Sequence, residues 1–209
     1  MVKARTVNGE RFEVMISERR IRARIRQLAR QISKDYRGTV PVFIGVLNGS
    51  FIFIADLIRE VTIDCEIDFL KLSSYGDSKI SSGNVRMLKE LNCQVEGRDT
   101  IIVEDIVDSG LSMEYIKALV LRQNPASFRI VTLLYKKDSV RSPIHLDYVG
   151  FTIPGDFVIG YGLDYAQRER NLRDIYRLST VSETGAVKAS RSSSSGWKTP
   201  TTRKVQTTG

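Results

Sequence analysis

Residues that bind metals or form cross-links are scarce in this chain. Its 209 residues include only two cysteines, Cys65 and Cys93, and one histidine, His145. A zinc site needs three or four such ligands at close spacing, so we predict no zinc site. The two cysteines have no second pair with which to build a disulfide framework, and we interpret them as ordinary thiols of a reducing cytosol.

Long hydrophobic runs are also missing. The longest apolar stretches, such as residues 51–58, fall far short of the roughly 20 residues that a membrane-spanning helix needs. The charged N-terminal residues 1–6 lead into no apolar signal core, so secretion is not expected either. We therefore predict a cytoplasmic protein without a membrane partner.

Acidic residues are outnumbered by basic ones, and the formal net charge is +8. An excess of this kind is typical of proteins that bind nucleic acid, but its distribution argues against that function. The tail Ser179–Gly209 holds five basic residues and one acid, so half of the excess lies there. We predict no nucleic-acid partner, because a basic balance also suits an enzyme with polyanionic substrates.

A helix that begins at Ser17 and ends near Tyr36 has a pronounced arginine content. Its apolar residues recur at helical spacing along one face, namely Ile21, Ile25, Leu28 and Ile32. The other faces carry Arg19, Arg20, Arg22, Arg24, Arg26 and Arg30. We interpret the arginines as a solvated outer surface rather than as a partner-binding patch.

Apolar runs of strand length alternate with helical segments after this helix. Strands are predicted over 42–47, 67–72, 100–103, 128–135, 148–153 and 157–161, and helices over 51–60 and 112–122. Strands that are apolar on both faces indicate a parallel sheet covered by helices on both sides. The fold class is therefore α/β, in a domain over residues 1–178. Nearly half of residues 179–209 are serine or threonine, which predicts a disordered basic tail.

Residues 101–112 hold the most informative pattern, an apolar strand followed by Glu104 and Asp105. Neighbouring residues of a strand point to opposite faces. In a sheet covered on both sides, one of these carboxylates would enter the core unpaired if both lay within the strand. We therefore expect both acids at the carboxyl end of the strand, where open α/β sheets bind ligands.

The residues after the acid pair favour a phosphate ligand. The sequence from Ser109 through Gly110 to Ser112 supplies free main-chain N–H groups, two hydroxyls and a helix N-terminus. Neither of the glycine patterns that bind nucleoside triphosphates or dinucleotides occurs in the chain. Because paired carboxylates accept hydrogen bonds from a vicinal diol, the combination indicates a ribose 5-phosphate.

This stretch resembles the phosphoribosyl-diphosphate signature of the type I phosphoribosyltransferases. Residues 133–137, 149–154 and 157–167 are similar to the base-binding half of the bacterial-type hypoxanthine-guanine phosphoribosyltransferases. The resemblance covers about residues 14–178. It implies that family's sheet flanked by helices, with a small hood and a flexible lid loop, and a homodimer or homotetramer. The implied reaction is Mg²⁺-dependent transfer of the phosphoribosyl group from phosphoribosyl diphosphate to hypoxanthine or guanine.

The resemblance also implies a role for individual residues. Ribose and phosphate would be bound by Glu104, Asp105, Asp108, Ser109, Gly110, Leu111 and Ser112. Asp108 would also be the catalytic acid–base group at N7 of the purine. The 6-oxopurine base would be bound by Lys136, Phe157, Val158 and Asp164. Pyrophosphate would be bound by Leu47, Asn48, Gly49 and Arg170, with Arg168 as an alternative to Arg170. The lid would include Ser74 and Tyr75, and Mg²⁺ would be held by Glu104, Asp105 and Asp164.

Two departures and two rival functions remain open at this point. The family usually has lysine or arginine where this chain has Asn48, and a more polar residue where it has Leu111. One rival is a phosphoribosyltransferase for xanthine or a pyrimidine, and the other is a regulator that binds RNA or DNA. A complete base pocket favours the purine enzyme, since a regulator has no need of one.

Overall fold

The computed structural model describes residues 4–74, 85–141 and 144–179. Its helices are α1 (Glu18–Asp35), α2 (Phe51–Glu60) and α3 (Leu111–Leu121), with a short 3₁₀ helix at Lys137–Ser139. Its strands are β1 (Ala4–Val7), β2 (Glu10–Ile16), β3 (Val42–Leu47), β4 (Glu66–Ser74), β5 (Val85–Lys89), β6 (Asp99–Val107), β7 (Ser127–Tyr135), β8 (Tyr148–Thr152), β9 (Val158–Ile159) and β10 (Ile175–Leu178).

Six strands form the core sheet, in the order β5-β4-β3-β6-β7-β8. β3, β4, β6, β7 and β8 run parallel, and at its centre Gly45 of β3 pairs with Phe69 of β4 and Val103 of β6. The predicted α/β sheet is thus confirmed. The antiparallel edge strand β5 was not expected, so the sheet is mixed rather than purely parallel.

Helices cover both faces of the core sheet, as the apolar strands predict. Phe43 of β3 packs in the cluster formed with α1 and α2, whereas its neighbours Val42 and Ile44 pack with α3. The same alternation separates Ile101 from Ile102 in β6. Because successive side chains of a strand point to opposite faces, one continuous apolar run supplies both clusters.

The arginine-rich helix α1 has the predicted bounds and apolar face, but its N-cap contact and outer surface differ from the prediction. The Ser17 side chain makes no capping hydrogen bond, and Asp174 Oδ1 accepts the N–H of Glu18 at 2.7 Å instead. The arginines are not all solvated either. Arg24 donates to the carbonyls of Val149 and Gly150 at 2.6 and 2.9 Å, which ties α1 to the edge strand β8.

Four antiparallel strands form the hood, in the order β1-β2-β10-β9. Strands from both ends of the described chain pair there, with Arg177 of β10 between Glu13 of β2 and Val158 of β9. The small hood implied by the family resemblance is therefore present. It encloses its own apolar cluster around Phe12 and Ile159.

Neither membrane spans nor cross-links appear in the described ranges. None of the helices there is long and apolar enough to cross a membrane. Cys65 and Cys93 are free and partly buried, in agreement with their interpretation as ordinary thiols. Burial raises the pKa of the Cys93 thiol to about 11, so this group is a poor nucleophile at neutral pH.

Candidate active site

The acid pair lies inside a strand, which corrects the sequence prediction. β6 continues to Val107, so Glu104 and Asp105 occupy the second half of the strand instead of following it. Both residues are buried, with 8% and 7% of their surface exposed. The expectation that a covered sheet cannot hold both carboxyl groups was wrong, because it assumed regular alternation along the strand.

Alternation along β6 shifts by one residue at the acid pair. Ile106 packs with Val103 beneath α1 and α2, although regular alternation would place it beneath α3 with Ile102. The neighbouring carboxyl groups of Glu104 and Asp105 interact, and each affects the pKa of the other.

Burial sets the ionisation of this pair. Burial, reinforced by the adjacent Asp105 carboxylate, raises the pKa of Glu104 well above its usual range. Burial also raises the pKa of Asp105. Oε2 of Glu104 is buried without a hydrogen-bond partner among the described residues. An orphaned carboxyl oxygen beside a second carboxyl group fits a ligand that brings cations or hydroxyl donors.

The predicted phosphate loop, residues 108–112, lies directly beyond the acid pair. Gly110 takes a left-handed conformation, with φ of 86°, and α3 begins at the next residue. A cavity of about 230 Å³ opens here. It is lined by Val46, Leu47, Leu72, Glu104, Ile106, Val107, Asp108, Ser109, Gly110, Ser112 and Met113. The structure thus brings one acid, the loop and the helix N-terminus to a single cavity.

The side chains of Asp108 and Lys136 form an ion pair across neighbouring strands. Lys136 Nζ lies 2.8 Å from Asp108 Oδ2. Asp108 follows β6 and Lys136 follows β7, so both stand at the carboxyl ends of adjacent parallel strands. The Lys136 side chain is mostly buried, whereas its neighbour Lys137 is exposed.

Phe157 is not a core residue. Its exposed fraction is 44%, and it rests edge-on against Tyr165 with the ring centroids 5.5 Å apart. Val158, its neighbour, is buried and pairs through its main chain with Arg177 in the hood. An exposed aromatic ring held by a second ring is suited to stacking on a flat ligand.

Asp164 and Arg170 pair with each other. Arg170 Nη2 lies 2.8 Å from Asp164 Oδ1, and its Nη1 donates to the carbonyl of Gly162 at 2.8 Å. Arg168 is exposed and interacts through its main chain with Tyr165. Arg170 also lies close enough to Asp105 to favour the charged form of that carboxyl. As the candidate for binding pyrophosphate, Arg170 is therefore favoured over Arg168 by the geometry.

The loop at residues 47–49 lies in close contact with Asp105 of the acid pair. The Leu47–Asn48 peptide bond is cis, and the Asn48 side chain is exposed. A Cβ added to Gly49 would overlap the Asp105 carboxylate, so only glycine fits there. A Cβ added to Gly162 would in turn overlap the Gly49 carbonyl. Sequence reasoning did not single out Gly162, whose only signal is its place two residues before Asp164.

Two groups of predicted residues fall partly or wholly outside the described ranges. Ser74 is the last residue of β4, and Tyr75 of the predicted lid lies outside them. The tail beyond Ser179 also lies outside them. Within these ranges no three histidine, cysteine, aspartate or glutamate side chains converge on one metal position. Glu104, Asp105 and Asp164 thus do not form a ready-made three-carboxylate cluster.

Comparison with known proteins places this site in a family. The model of the phosphoribosyl transferase domain matches residues 15–166. The hypoxanthine-guanine phosphoribosyltransferase of Bacillus subtilis (strain 168) is 46% identical over 160 residues, covering 77% of this chain and 89% of that protein. The hypoxanthine phosphoribosyltransferase of Escherichia coli (strain K12) is 43% identical over 173 residues, covering 82% and 97%. A crystal structure of a hypoxanthine-guanine phosphoribosyltransferase from Bacillus anthracis superposes with a TM-score of 0.76 at 40% identity, covering 79% and 98%.

Proposed function

Because this chain belongs to the phosphoribosyl transferase domain family, we propose that it works in purine salvage. It transfers the phosphoribosyl group of phosphoribosyl diphosphate to hypoxanthine or guanine, giving IMP or GMP and pyrophosphate. The observation that carries this proposal is the Asp108–Lys136 pair at the cavity that Glu104 and the phosphate loop share. That arrangement supplies an acid–base group and a hydrogen-bond donor where a base meets a ribose phosphate.

The donor substrate binds at the end of β6. Main-chain N–H groups and hydroxyls of Ser109, Gly110, Leu111 and Ser112 hold the 5-phosphate, assisted by the N-terminus of α3. The carboxyl groups of Glu104 and Asp105 accept hydrogen bonds from the ribose diol. Leu47, Asn48, Gly49 and Arg170 bind the pyrophosphate. Asn48 adds no positive charge there, so Arg170 is the main cationic contact.

Asp108 and Lys136 act on the base. When the base enters, Lys136 Nζ exchanges its Asp108 partner for the 6-oxo group of the purine. The released Asp108 carboxylate accepts the N7 proton while N9 forms its bond to the anomeric carbon of the ribose. An ammonium group has only donors, so it disfavours the 6-amino group of adenine. Phe157 stacks on the purine ring. The main chain of Val158 forms a hydrogen bond with the base, and Asp164 lies beside it.

Magnesium is part of the proposed reaction. Mg²⁺ is commonly held in proteins by one or two carboxylates plus substrate oxygens, which suits a site that offers Glu104 and Asp105 without a third converging ligand. The orphaned Oε2 of Glu104 is a suitable ligand atom. Asp164 serves a metal on the pyrophosphate, directly or through water. The metal supplies charge neutralisation of the leaving group.

The remaining parts of the proposal concern the whole protein. Residues 1–178 are the catalytic domain, residues 179–209 are a disordered basic tail, and Ser74 and Tyr75 belong to a lid that excludes water from the reacting ribose. The protein is a homodimer or homotetramer in the cytoplasm. The free thiols of Cys65 and Cys93 support that location.

An activity panel with purified protein, phosphoribosyl diphosphate and Mg²⁺ tests the function. We expect IMP from hypoxanthine or GMP from guanine, and no product from adenine. Uracil and xanthine are the control bases, because the rival phosphoribosyltransferases accept them. Activity confined to a pyrimidine, or no activity with any base, contradicts the proposal. Inactivity combined with tight binding of RNA or DNA favours the regulator.

A further inference from the structure

Three consecutive residues with left-handed backbones form an arch beside the acid pair. Gly160, Tyr161 and Gly162 have φ of 92°, 50° and 99°. The arch is paired along its length: Tyr161 N–H donates to the Leu172 carbonyl at 2.8 Å, and Gly162 N–H to the Arg170 carbonyl at 2.9 Å. A bulky non-glycine residue is uncommon in this conformation, which draws attention to the contacts of the Tyr161 side chain.

The Tyr161 side chain ties the arch to helix α2. Its exposed fraction is 4%, and its ring packs in the cluster beneath α1 and α2. Its hydroxyl donates to Asp56 Oδ2 at 2.5 Å, the short length typical of a hydrogen bond to a carboxylate. Burial and the Asp56 carboxylate raise the pKa of Tyr161, so the hydroxyl remains a donor.

The opposite end of the arch touches the donor site. Gly162 lies so close to the Gly49 carbonyl that a Cβ there would overlap it, and Gly49 lies equally close to the Asp105 carboxylate. Residues 47–49 lead directly into α2, which begins at Phe51 and carries Asp56. The hydroxyl therefore links the arch to the same helix that the pyrophosphate loop enters.

We infer that Tyr161 is a positioning residue for the phosphoribosyl diphosphate site. Its hydroxyl, bound to Asp56, holds Gly162 against Gly49 and so keeps the pyrophosphate loop seated on Asp105. This inference rests on the proposed function and concerns the donor alone. The Asp108–Lys136 pair, which meets the base, follows strands β6 and β7 and has no part in this chain of contacts. The arch lies in sequence between Val158 and Asp164 of the base site, so the donor effect must exceed any effect on the base.

The variant Tyr161→Phe tests the inference, because it removes the hydroxyl and keeps the buried ring. We expect the KM for phosphoribosyl diphosphate and its equilibrium Kd, measured with Mg²⁺ and no base, to rise about tenfold, the scale of one lost hydrogen bond to a charged group. The KM for hypoxanthine should rise much less than the KM for phosphoribosyl diphosphate. Asp56→Ala should reproduce the donor defect, and Asp56→Asn, which keeps an acceptor oxygen, should largely restore donor binding.

Tyr148→Phe is the matched control. Tyr148 is 2% exposed, and its hydroxyl donates to Asp35 at 2.8 Å, in a contact between α1 and β8 far along the sheet from residues 47–49. We expect this variant to lose thermal stability without changing the donor Kd. An unchanged donor Kd in both Tyr161→Phe and Asp56→Ala would overturn the inference, as would an equal rise in Tyr148→Phe. If the wild-type protein is inactive with every base, the proposed function is wrong. The inference about Tyr161 is still tested in that case, because the donor Kd is measured without a base.

Discussion

At the scale of single residues, the active site is assembled from groups that compensate one another. Lys136 and Asp108 form an ion pair, and burial beside Asp105 raises the pKa of Glu104 and so favours its neutral form. Both arrangements limit the cost of burying charge. In the proposed reaction, the 6-oxo group of the base would replace Asp108 as the partner of Lys136, and the ribose diol would donate to Glu104 and Asp105.

The pair formed by Asp108 and Lys136 leads to a prediction about catalysis. Asp108→Asn keeps the side-chain shape but removes the basicity that accepts the N7 proton. We expect kcat to fall by about 100-fold or more, which is the usual scale of general acid–base catalysis. The Kd of phosphoribosyl diphosphate should change little. Single-turnover rates and equilibrium donor binding measure the two effects, and near-normal turnover would remove Asp108 from this role.

The raised pKa of Glu104 leads to a prediction about stability and pH. The folded protein keeps a proton on this group at pH values where the unfolded chain has released it, so rising pH above about 4.5 costs the folded state free energy. Glu104→Gln cannot ionise and avoids this cost. We therefore compare the melting temperatures of variant and wild type without Mg²⁺ or substrate. The difference, variant minus wild type, should increase by roughly 3–6 °C when the pH is raised from about 5 to about 8.

Glu96→Gln is the control for that experiment, because Glu96 is exposed. Its melting temperature should differ from that of wild type by the same small amount at every pH. A constant difference for Glu104→Gln as well would show that burial does not hold a proton on this carboxyl group.

At the scale of elements, strong apolar runs were predictable and short amphipathic strands were not. β3 and α2 have the bounds predicted from sequence, because each is rich in apolar residues and adjoins the turn at residues 48–50. β1, β5 and β10 contain only four or five residues of mixed polarity. Their pairing depends on partners distant in sequence, and a single sequence does not reveal those partners.

Long-range polar contacts were equally invisible in the sequence. Asp68 is a buried residue of β4 that accepts hydrogen bonds from the N–H groups of Asn92 and Cys93 and from Lys89 Nζ. These bonds lower the pKa of Asp68 and fasten the end of the β4–β5 hairpin. In the site itself, the phosphate loop and Lys136 follow long strands and were predictable. The roles of Gly162 and Tyr161 depend on contacts with residues more than 100 positions away.

At the scale of the whole molecule, the site draws on several distant parts of residues 4–179. The pyrophosphate loop precedes α2, the acid pair lies in β6, and the arch directly follows the hood strand β9. Hood and core sheet are joined by Asp174, which caps α1 through Glu18 N–H. These contacts all lie within the described ranges, and we propose that residues 1–178 suffice for catalysis.

Deleting residues 179–209 should therefore leave kcat and both KM values close to those of the full chain. The composition of the tail predicts that it cannot bury enough apolar surface to offset its chain entropy. Trp197 is the only tryptophan in the chain, so its fluorescence reports on the tail alone. We expect the emission of a water-exposed indole, unchanged by phosphoribosyl diphosphate and Mg²⁺. A blue-shifted emission together with lost activity on deletion would instead show that the tail docks on the catalytic domain and contributes to its work.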